Sequence, residues 1–270
     1  MEKNIISAWE KVEIARNPKR KTSLEYIENI FDDFIELHGD RHFSDDKAMV
    51  CGLAKIGKQN YTIIAEQKGR TTKENIERNF GMPNPESYRK AIRFMKQAEK
   101  FNRPIITFID TKGAYPGIGA EERGQGEAIA SSMFEMAKVK VPAISIVIGE
   151  GSSGGALAIG VSNKIYMMEH AIYSILSPEG YSSILWKDST LYKEAAEKMK
   201  LTAKDLYDLK IIDNIIEEPI KYEENTFEII TKNLKELIIN DIEKMKKLDK
   251  TDLVEKRYEK FRNISGFKEV

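Results

Sequence analysis

Apolar residues in the first third of the chain follow a helical spacing and then form strand-like runs. Residues 7–16 predict a short helix, and residues 22–39 predict a longer helix that stops at Gly39. The apolar face of this longer helix would consist of Tyr26, Ile27, Ile30, Phe31, Phe34 and Ile35. Residues 48–56 and 61–68 then flank the turn sequence GKQN and predict a β-hairpin.

From residue 84 onward, unbroken apolar runs alternate with amphipathic helices. Asn84 can cap and Pro85 can open a helix that continues to Phe101. Its inner face would consist of Tyr88, Ala91, Ile92, Met95 and Ala98. The apolar runs at 104–110 and 141–148 predict strands, with a helix over 120–140 between them. Shorter strands are predicted at residues 164–169 and 171–175.

This succession predicts an α/β protein with a parallel sheet that is buried on both faces. Right-handed crossovers would place 104–110 and 141–148 side by side or nearly so. The loops that follow these two strands would then emerge at the same carboxyl edge, where ligands bind in such folds. Further along, Thr202 and Asp205 form a predicted capping pair. Residues 226–262 predict a long charged helical stretch, with an apolar stripe of Phe227, Ile230, Leu234, Ile238, Ile242 and Met245.

Composition narrows the classes of function. The 43 Lys and Arg residues balance 43 Asp and Glu residues, so we expect neither a nucleic acid nor an anionic membrane as partner. Cys51 is the single cysteine of 270 residues, which indicates a reducing compartment. The first residues lack a signal-peptide core, and no apolar run is long enough to span a bilayer. The sequence therefore predicts a cytoplasmic protein. One cysteine and three histidines also predict that the chain holds no structural zinc.

Residues 149–160, GEGSSGGALAIG, follow a predicted buried strand and match three known patterns. As a nucleophile elbow, the stretch would make Ser153 a nucleophile that needs an acid and a histidine downstream. The one downstream histidine is His170, and the one acid between them is its neighbour Glu169, which is a poor arrangement for a triad. As a phosphate-binding P-loop, the stretch lacks the required lysine.

The third pattern is the dinucleotide fingerprint G-x-G-x-x-G. Gly149, Gly151 and Gly154 match it, and Glu169 lies at the distance expected for an acid that binds the ribose. An NAD-binding Rossmann-type oxidoreductase is therefore the alternative function. This alternative leaves a second glycine-rich loop, residues 110–119, without a role.

A fourth interpretation uses both loops. Glycine allows backbone N–H groups to approach a ligand closely, and Gly154 and Gly155 would lie at the start of a helix, whose first N–H groups lack internal partners. A further N–H from Gly113, Ala114 or Tyr115 would converge on the same point. Two such donors form an oxyanion hole, which needs no catalytic side chain.

Several long runs resemble the α subunit of bacterial acetyl-coenzyme A carboxylase carboxyltransferase. These runs are FIELHGDRHFSDDKA, QKGRTTKENIERNFGMPNPESYRKA, ITFIDTKGAYPGIGAEERGQGEAIA, VIGEGSSGGALAIG and YSILSPEGYSSILWKD. The similarity covers roughly residues 7–218. It implies an α/β, crotonase/ClpP-like fold of repeated ββα units, with an N-terminal helical segment and a long C-terminal helix. A carboxyltransferase domain would span residues 1–250 with its N-terminal helices, and a C-terminal helical extension would span 226–270.

The resemblance also implies the reaction and the partners. The carboxyl group of carboxybiotin, which is attached to a biotin carboxyl carrier protein, would be transferred to acetyl-CoA, giving malonyl-CoA for fatty acid biosynthesis. A β subunit that bears a zinc ribbon would complete an α₂β₂ enzyme, and a biotin carboxylase would charge the biotin. By position, Gly154 and Gly155 would hold the biotin ureido oxygen, with Gly113, Ala114 and Tyr115 on the opposing wall.

Cations and a serine near these loops are candidate contacts for CoA phosphates or for the carrier. They are Lys68, Arg70, Lys73, Arg78, Arg123 and Ser153. Three positions depart from the family pattern: Lys112 replaces a common proline, Ser152 a common glycine, and Tyr181 a small residue. The long extension that many relatives carry before residue 8 is also absent, so its contacts are not expected.

Overall fold

Two short helices open the part of the chain that the computed structural model describes, residues 6–264. Helix α1 (Ala8–Ala15) begins at a capping box between Ser7 and Glu10, which confirms the helix predicted over 7–16. Helix α2 (Ser23–Ile30) begins at a second capping box between Thr22 and Glu25.

The prediction that this second helix continues to Gly39 is wrong. The helix ends at Ile30, and strand β1 (Asp33–Glu36) follows. Strand β1 pairs antiparallel with strand β2 (Met49–Ile56), with Glu36 opposite Gly52. Because a Cβ at residue 52 would lie 2.3 Å from the Ile35 carbonyl oxygen, only glycine allows β1 to approach this closely.

One mixed sheet forms the centre of the molecule. Strand β2 and strand β3 (Gln59–Glu66) form the predicted hairpin. The other strands run parallel to β3: β4 (Ile105–Thr111), β5 (Ala143–Ser152), β6 (Lys164–Met168), β7 (Ile172–Ser174) and β8 (Asn214–Ile216). The order is β1-β2-β3-β4-β5-β6-β8, with β7 paired to the end of β5. Strands β4 and β5 are neighbours, and every residue of both is buried.

Helices flank the sheet on both sides. They are α3 (Thr72–Glu77), α4 (Pro85–Lys100), α5 (Ile118–Glu122), α6 (Gln125–Lys138), α7 (Ser153–Leu157), α8 (Pro178–Trp186), α9 (Tyr192–Lys198), α10 (Ala203–Asp208), α11 (Thr226–Met245) and α12 (Lys250–Asn263). The single helix predicted over 120–140 is wrong, because Gly124 adopts φ +80° and separates α5 from α6. The capping pair of Thr202 and Asp205 at α10 is confirmed. No helix in residues 6–264 is long and apolar enough to cross a membrane.

The predicted C-terminal stretch forms two helices, α11 and α12, rather than one. The apolar stripe of α11 lies in the same core as the sheet. Helix α12 is attached by Arg257, which is 1% exposed. Its guanidinium group donates hydrogen bonds to the carbonyl oxygens of Met136, Ala137, Val139 and Val141 and to Asn163 Oδ1. Arg257 therefore satisfies the carbonyl groups at the end of α6 that no helical N–H reaches.

Candidate active site

The two glycine-rich loops lie against each other at the carboxyl edge of the sheet. The β4–β5 pairing continues to Thr111 opposite Gly151, so both chains leave the sheet at the same level. The loop after β4 then packs on the first turn of α7. A Cβ added to Gly155 would lie 2.7 Å from the Ala114 nitrogen and 2.8 Å from the Gly113 carbonyl carbon. This close approach is possible only because residue 155 has no side chain.

Neighbouring groups fix the conformation of the loop after β4. Gly113 has φ +132° and donates its N–H to Thr111 Oγ1 at 3.0 Å. Tyr115 donates its N–H to the Pro83 carbonyl oxygen at 3.0 Å. Both N–H groups are occupied, so the prediction that Gly113 or Tyr115 supplies a donor to the site needs correction. Ala114 lies between them, and its N–H donates to no acceptor in residues 6–264.

Helix α7 supplies two further N–H groups. Strand β5 passes directly into the helix through Ser153, which adopts φ +58°. Within the described chain, the N–H groups of Gly154 and Gly155 donate to no protein acceptor. A Cβ on Gly154 would meet the Ile129 side chain of α6 at 3.2 Å, so this residue faces a flexible neighbour rather than the opposite loop. The N–H groups of Ala114, Gly154 and Gly155 are thus left without a protein acceptor in residues 6–264.

An apolar groove of about 490 Å³ adjoins these donors. Ser153, the first residue of α7, lines the groove, and Phe261 of α12 and Ile264 just after this helix line it as well. The other lining residues are Leu157, Ile165, Tyr173, Ser174, Ile175, Tyr181, Met199, Lys200, Leu206, Leu209 and Ile211. No sequence pattern indicated this groove, because its residues come from seven separate stretches of the chain.

Lys68 belongs to a cluster of buried charged residues at the ends of β4 and β5, next to the two loops. The Lys68 ammonium group contacts Asp110 Oδ1 at 2.6 Å and Glu150 Oε2 at 3.1 Å. Arg16 holds the other oxygen of Glu150 at 2.9 Å and reaches Glu179 at 2.7 Å. Burial alone would lower the pKa of Lys68, but the two carboxylates outweigh burial and raise it. Lys68 is thus committed to ion pairs, which argues against the prediction that it binds a substrate phosphate.

Glu66 lies in the same region without a charged partner. Its side chain is fully buried, and it accepts the Asp110 N–H at 3.1 Å. Burial, and then the nearby charge of Asp110, raise the pKa of Glu66 well above its usual value. The folded protein therefore holds a neutral carboxylic acid at this position over a pH range in which an exposed glutamate is ionised.

We expect Glu66→Gln to remove a pH dependence of stability. In the native chain, unfolding above the usual pKa of 4.5 releases a proton from Glu66, so its contribution to stability is complete at lower pH and declines as pH rises. The decline amounts to at most about 1.4 kcal/mol per pH unit. Urea unfolding at about pH 5, 6 and 7 should show a flatter profile for Glu66→Gln, while the exposed control Glu228→Gln keeps the native slope. If the free energy of unfolding depends equally on pH in all three proteins, Glu66 is not a neutral acid in the folded protein.

The other predicted cations lie in separate places. Arg70 lies beside Lys68 in a cavity of about 190 Å³, where it pairs with Glu25. Arg78 donates to the Lys47 carbonyl oxygen at 2.7 Å. Arg123 pairs with Glu86 in the first turn of α4 at 2.5 Å, and Lys73 is exposed on α3. The structure therefore does not bring these residues together into one binding surface.

The family-pattern departures also have clear positions. Lys112 is exposed and lines the same 190 Å³ cavity. Ser152 ends β5 opposite Ser174, and Tyr181 lies in the apolar groove. In the described part of the chain, no group of three or more His, Cys, Asp or Glu residues could hold a metal ion.

The fold resembles those of solved carboxyltransferases. Transcarboxylase 12S aligns with a TM-score of 0.65 at 19% identity over 80% of this chain and 42% of that chain. The β subunit of P. aeruginosa geranyl-CoA carboxylase aligns with a TM-score of 0.64 at 17% identity over 88% of this chain and 45% of that chain. The molecule is therefore an α/β protein with the crotonase-type fold of carboxyltransferases.

The sequence comparisons identify the family. A family model described as acetyl co-enzyme A carboxylase carboxyltransferase-like matches residues 3–265. The α subunit of acetyl-coenzyme A carboxylase carboxyl transferase from Staphylococcus haemolyticus is 55% identical over 262 residues, 97% of this chain and 83% of that protein. The α subunit from Clostridium botulinum (strain Alaska E43 / Type E3) is 58% identical over 260 residues, 96% of this chain and 95% of that protein. The chain belongs to the acetyl-coenzyme A carboxylase carboxyltransferase α-subunit family, and it is a subunit of a transferase.

One relative carries two subunits in a single chain. A protein from Clostridium tetani described as subunits beta/alpha is 55% identical over 266 residues, which are 98% of this chain and 46% of that protein. In that protein the part similar to this chain is joined to a β subunit. The comparisons do not support the alternative of an NAD-binding oxidoreductase, and the helix that follows the glycine-rich stretch is only five residues long.

Proposed function

We propose that this chain forms the half of the active site that holds biotin during carboxyl transfer. The N–H groups of Ala114, Gly154 and Gly155 would bind the ureido oxygen of carboxybiotin and stabilise the negative charge that develops there as the carboxylate leaves. Acetyl-CoA would accept the carboxylate to give malonyl-CoA. The observation that supports this role is the approach of Gly155 to Ala114, with all three N–H groups unpaired in the described chain.

The magnitude of this effect is large enough to account for catalysis without a charged side chain. A donor that is aimed at developing charge stabilises the transition state more than the ground state, and only that difference raises the rate of transfer. Loss of one such donor typically lowers the rate by about 10²–10³. The loop around Ala114 is already fixed by Thr111 and Pro83, so its N–H needs no reorganisation during the reaction.

The biotin anion that remains would take the acetyl methyl proton. This step requires no side-chain base. We propose that the biotin arrives on a carrier protein charged by a biotin carboxylase, that the β subunit bears the zinc ribbon, and that the enzyme is an α₂β₂ assembly of the cytoplasm. The first test is malonyl-CoA formation from carboxybiotin and acetyl-CoA with both subunits. Absence of product from the combined subunits would refute the proposal.

We further propose that the β subunit covers the apolar groove beside the donors. Ser153, which lines the groove, directly precedes the Gly154 donor, so a chain that fills the groove would lie next to the active site. Its rim carries Ile175, which is 75% exposed, and helix α8 next to it exposes Ile184, Leu185 and Trp186. Large exposed apolar patches of this kind mark protein interfaces.

We expect Ile175→Asp to weaken binding of the β subunit about 30-fold, because a charge placed within an apolar contact costs about 2 kcal/mol. Titration calorimetry or sedimentation with purified β subunit measures the effect. Ile229→Asp is the matched control, because Ile229 is 59% exposed on α11, away from the groove. Native affinity in Ile175→Asp, or equal weakening in both variants, would place the β subunit elsewhere.

A further inference from the structure

The pairing of β4 with β5 is interrupted just before the two donor loops. Ile109 lies opposite Val147, and the next paired residues are Thr111 and Gly151. Between these pairs β4 advances by two residues while β5 advances by four. Asp110 therefore faces the segment 148–150 without regular ladder contacts, and the ladder alone does not fix the relative position of the two strand ends.

Ion pairs and hydrogen bonds of side chains take the place of the missing β4–β5 backbone hydrogen bonds at this point. The Lys68 ammonium group bridges Asp110 on β4 and Glu150 on β5, at 2.6 Å and 3.1 Å. Asp110 Oδ1 also accepts the Glu150 N–H at 2.9 Å. The carbonyl oxygen of Ile148 accepts a hydrogen bond from Arg20 Nε at 2.6 Å. The Glu150 N–H and the Ile148 carbonyl oxygen thus bond to side chains instead of to the neighbouring strand's backbone.

The cluster is also tightly packed. A Cβ on Gly149 would lie 2.3 Å from Asp110 Oδ1, so this carboxylate contacts the β5 backbone directly. The side chains of Asp110 and Glu150 are 7% and 3% exposed, and that of Lys68 is 18% exposed. Ion pairs in such surroundings are screened weakly by solvent. Lys68 thus adds an ion-pair bridge between the two strand ends to the direct hydrogen bond from the Glu150 N–H to Asp110.

We infer that Lys68 is a positioning residue, which holds the Ala114 donor and the Gly154–Gly155 donors at the separation that carboxyl transfer requires. Asp110 lies four residues before Ala114, and Glu150 lies four residues before Gly154. Loss of the Lys68 ion pairs would thus shift both donor loops, because only a few residues separate each carboxylate from its donor. This inference rests on the proposed function of the donors, and it gives Lys68 no contact with substrate.

The test uses Lys68→Met and Lys68→Arg in the assembled enzyme with the β subunit, with carboxybiotin and acetyl-CoA as substrates. We expect Lys68→Met to lower kcat about 10²-fold, because displaced donors lose most of their effect. KM for acetyl-CoA should change less than about threefold, since the substrate makes no contact with this residue. Lys68→Arg should restore kcat to within about tenfold of the native value, because the adjacent 190 Å³ cavity can accept the larger guanidinium group.

Two controls separate the inference from other roles. Lys232→Met, at an exposed lysine on α11, should leave kcat unchanged. A double-mutant cycle adds Lys68→Met to the Gly155→Ala variant. The added substitution should lower kcat by less than about threefold, because Gly155→Ala has already blocked the oxyanion hole through which Lys68 acts. Should Lys68→Met fail to fold, Glu150→Gln tests the same bridge, and we expect it to lower kcat about tenfold with KM unchanged.

The opposite results are distinguishable from failure of the proposed function. A rise in KM with native kcat in Lys68→Met would mean that Lys68 binds substrate. Full additivity with Gly155→Ala would mean that Lys68 acts independently of the oxyanion hole. Either result overturns the inference. Native kcat in Gly155→Ala would instead overturn the oxyanion site itself.

Discussion

Gly155→Ala should lower the rate of malonyl-CoA formation at least about 10²–10³-fold, the loss typical of a disabled oxyanion hole. The added methyl group would lie 2.7 Å from the Ala114 nitrogen and 2.8 Å from the Gly113 carbonyl carbon. Because these are backbone atoms, they cannot swing aside, so the two loops must separate. The rate is measured with the β subunit, carboxybiotin and acetyl-CoA, and the melting temperature and β-subunit affinity are measured in parallel.

Gly126→Ala is the matched control for this substitution. A Cβ at residue 126 would meet no atom within 4 Å, and the residue lies in the first turn of α6. We expect this variant to turn over at the native rate. Gly154→Ala should fall between the two, since its methyl group meets only the movable Ile129 side chain. Native turnover in Gly155→Ala would mean that the approach of the two loops has no catalytic role.

Arg257→Met should lower the free energy of unfolding by about 3 kcal/mol, since it leaves buried acceptors without donors at a cost of about 1–3 kcal/mol each, partly offset by relief of a buried charge. The charge is costly to bury, because desolvation lowers the pKa of Arg257 to about 10. Urea denaturation measures the loss. Arg262→Met, at an exposed position on the same helix, should change stability by less than about 0.5 kcal/mol. Equal stability of both variants would show that Arg257 does not attach α12 to the end of α6.

Local spacing predicted most helices and strands but failed where a distant strand decides the conformation. Phe34 and Ile35 continue the helical spacing of the residues before them, yet they lie in β1. The reason is the pairing with β2, in particular the space above Gly52, which no window of neighbouring residues reveals. The glycine at residue 124, in contrast, was a local signal for the break between α5 and α6.

The place of the candidate site was predictable, and its individual donors were not. Two glycine-rich loops after consecutive parallel strands had to meet at one edge of the sheet, and they do. Of Gly113, Ala114 and Tyr115, however, only Ala114 has an N–H without an acceptor in residues 6–264, because Thr111 and Pro83 occupy those of Gly113 and Tyr115. Such bonds depend on loop conformation, which a residue pattern does not encode.

The cations were the least predictable part of the site. Lys68 and Arg123 looked available for phosphates in the sequence, but their carboxylate partners lie 42 and 37 residues away in the chain. Charge alone therefore could not distinguish a residue that binds a ligand from one that holds the fold. For Lys68 the partners also suggest a role that a surface cation would not have.

Removal of a single N–H tests the central claim most directly. Replacing Ala114 by lactic acid converts its amide to an ester, which removes the donor and leaves the side chain and loop length unchanged. With native β-subunit affinity and a melting temperature close to native as evidence of folding, we expect kcat for malonyl-CoA formation to fall about 10²–10³-fold, with KM for acetyl-CoA nearly constant. A native kcat in this ester variant would contradict the account.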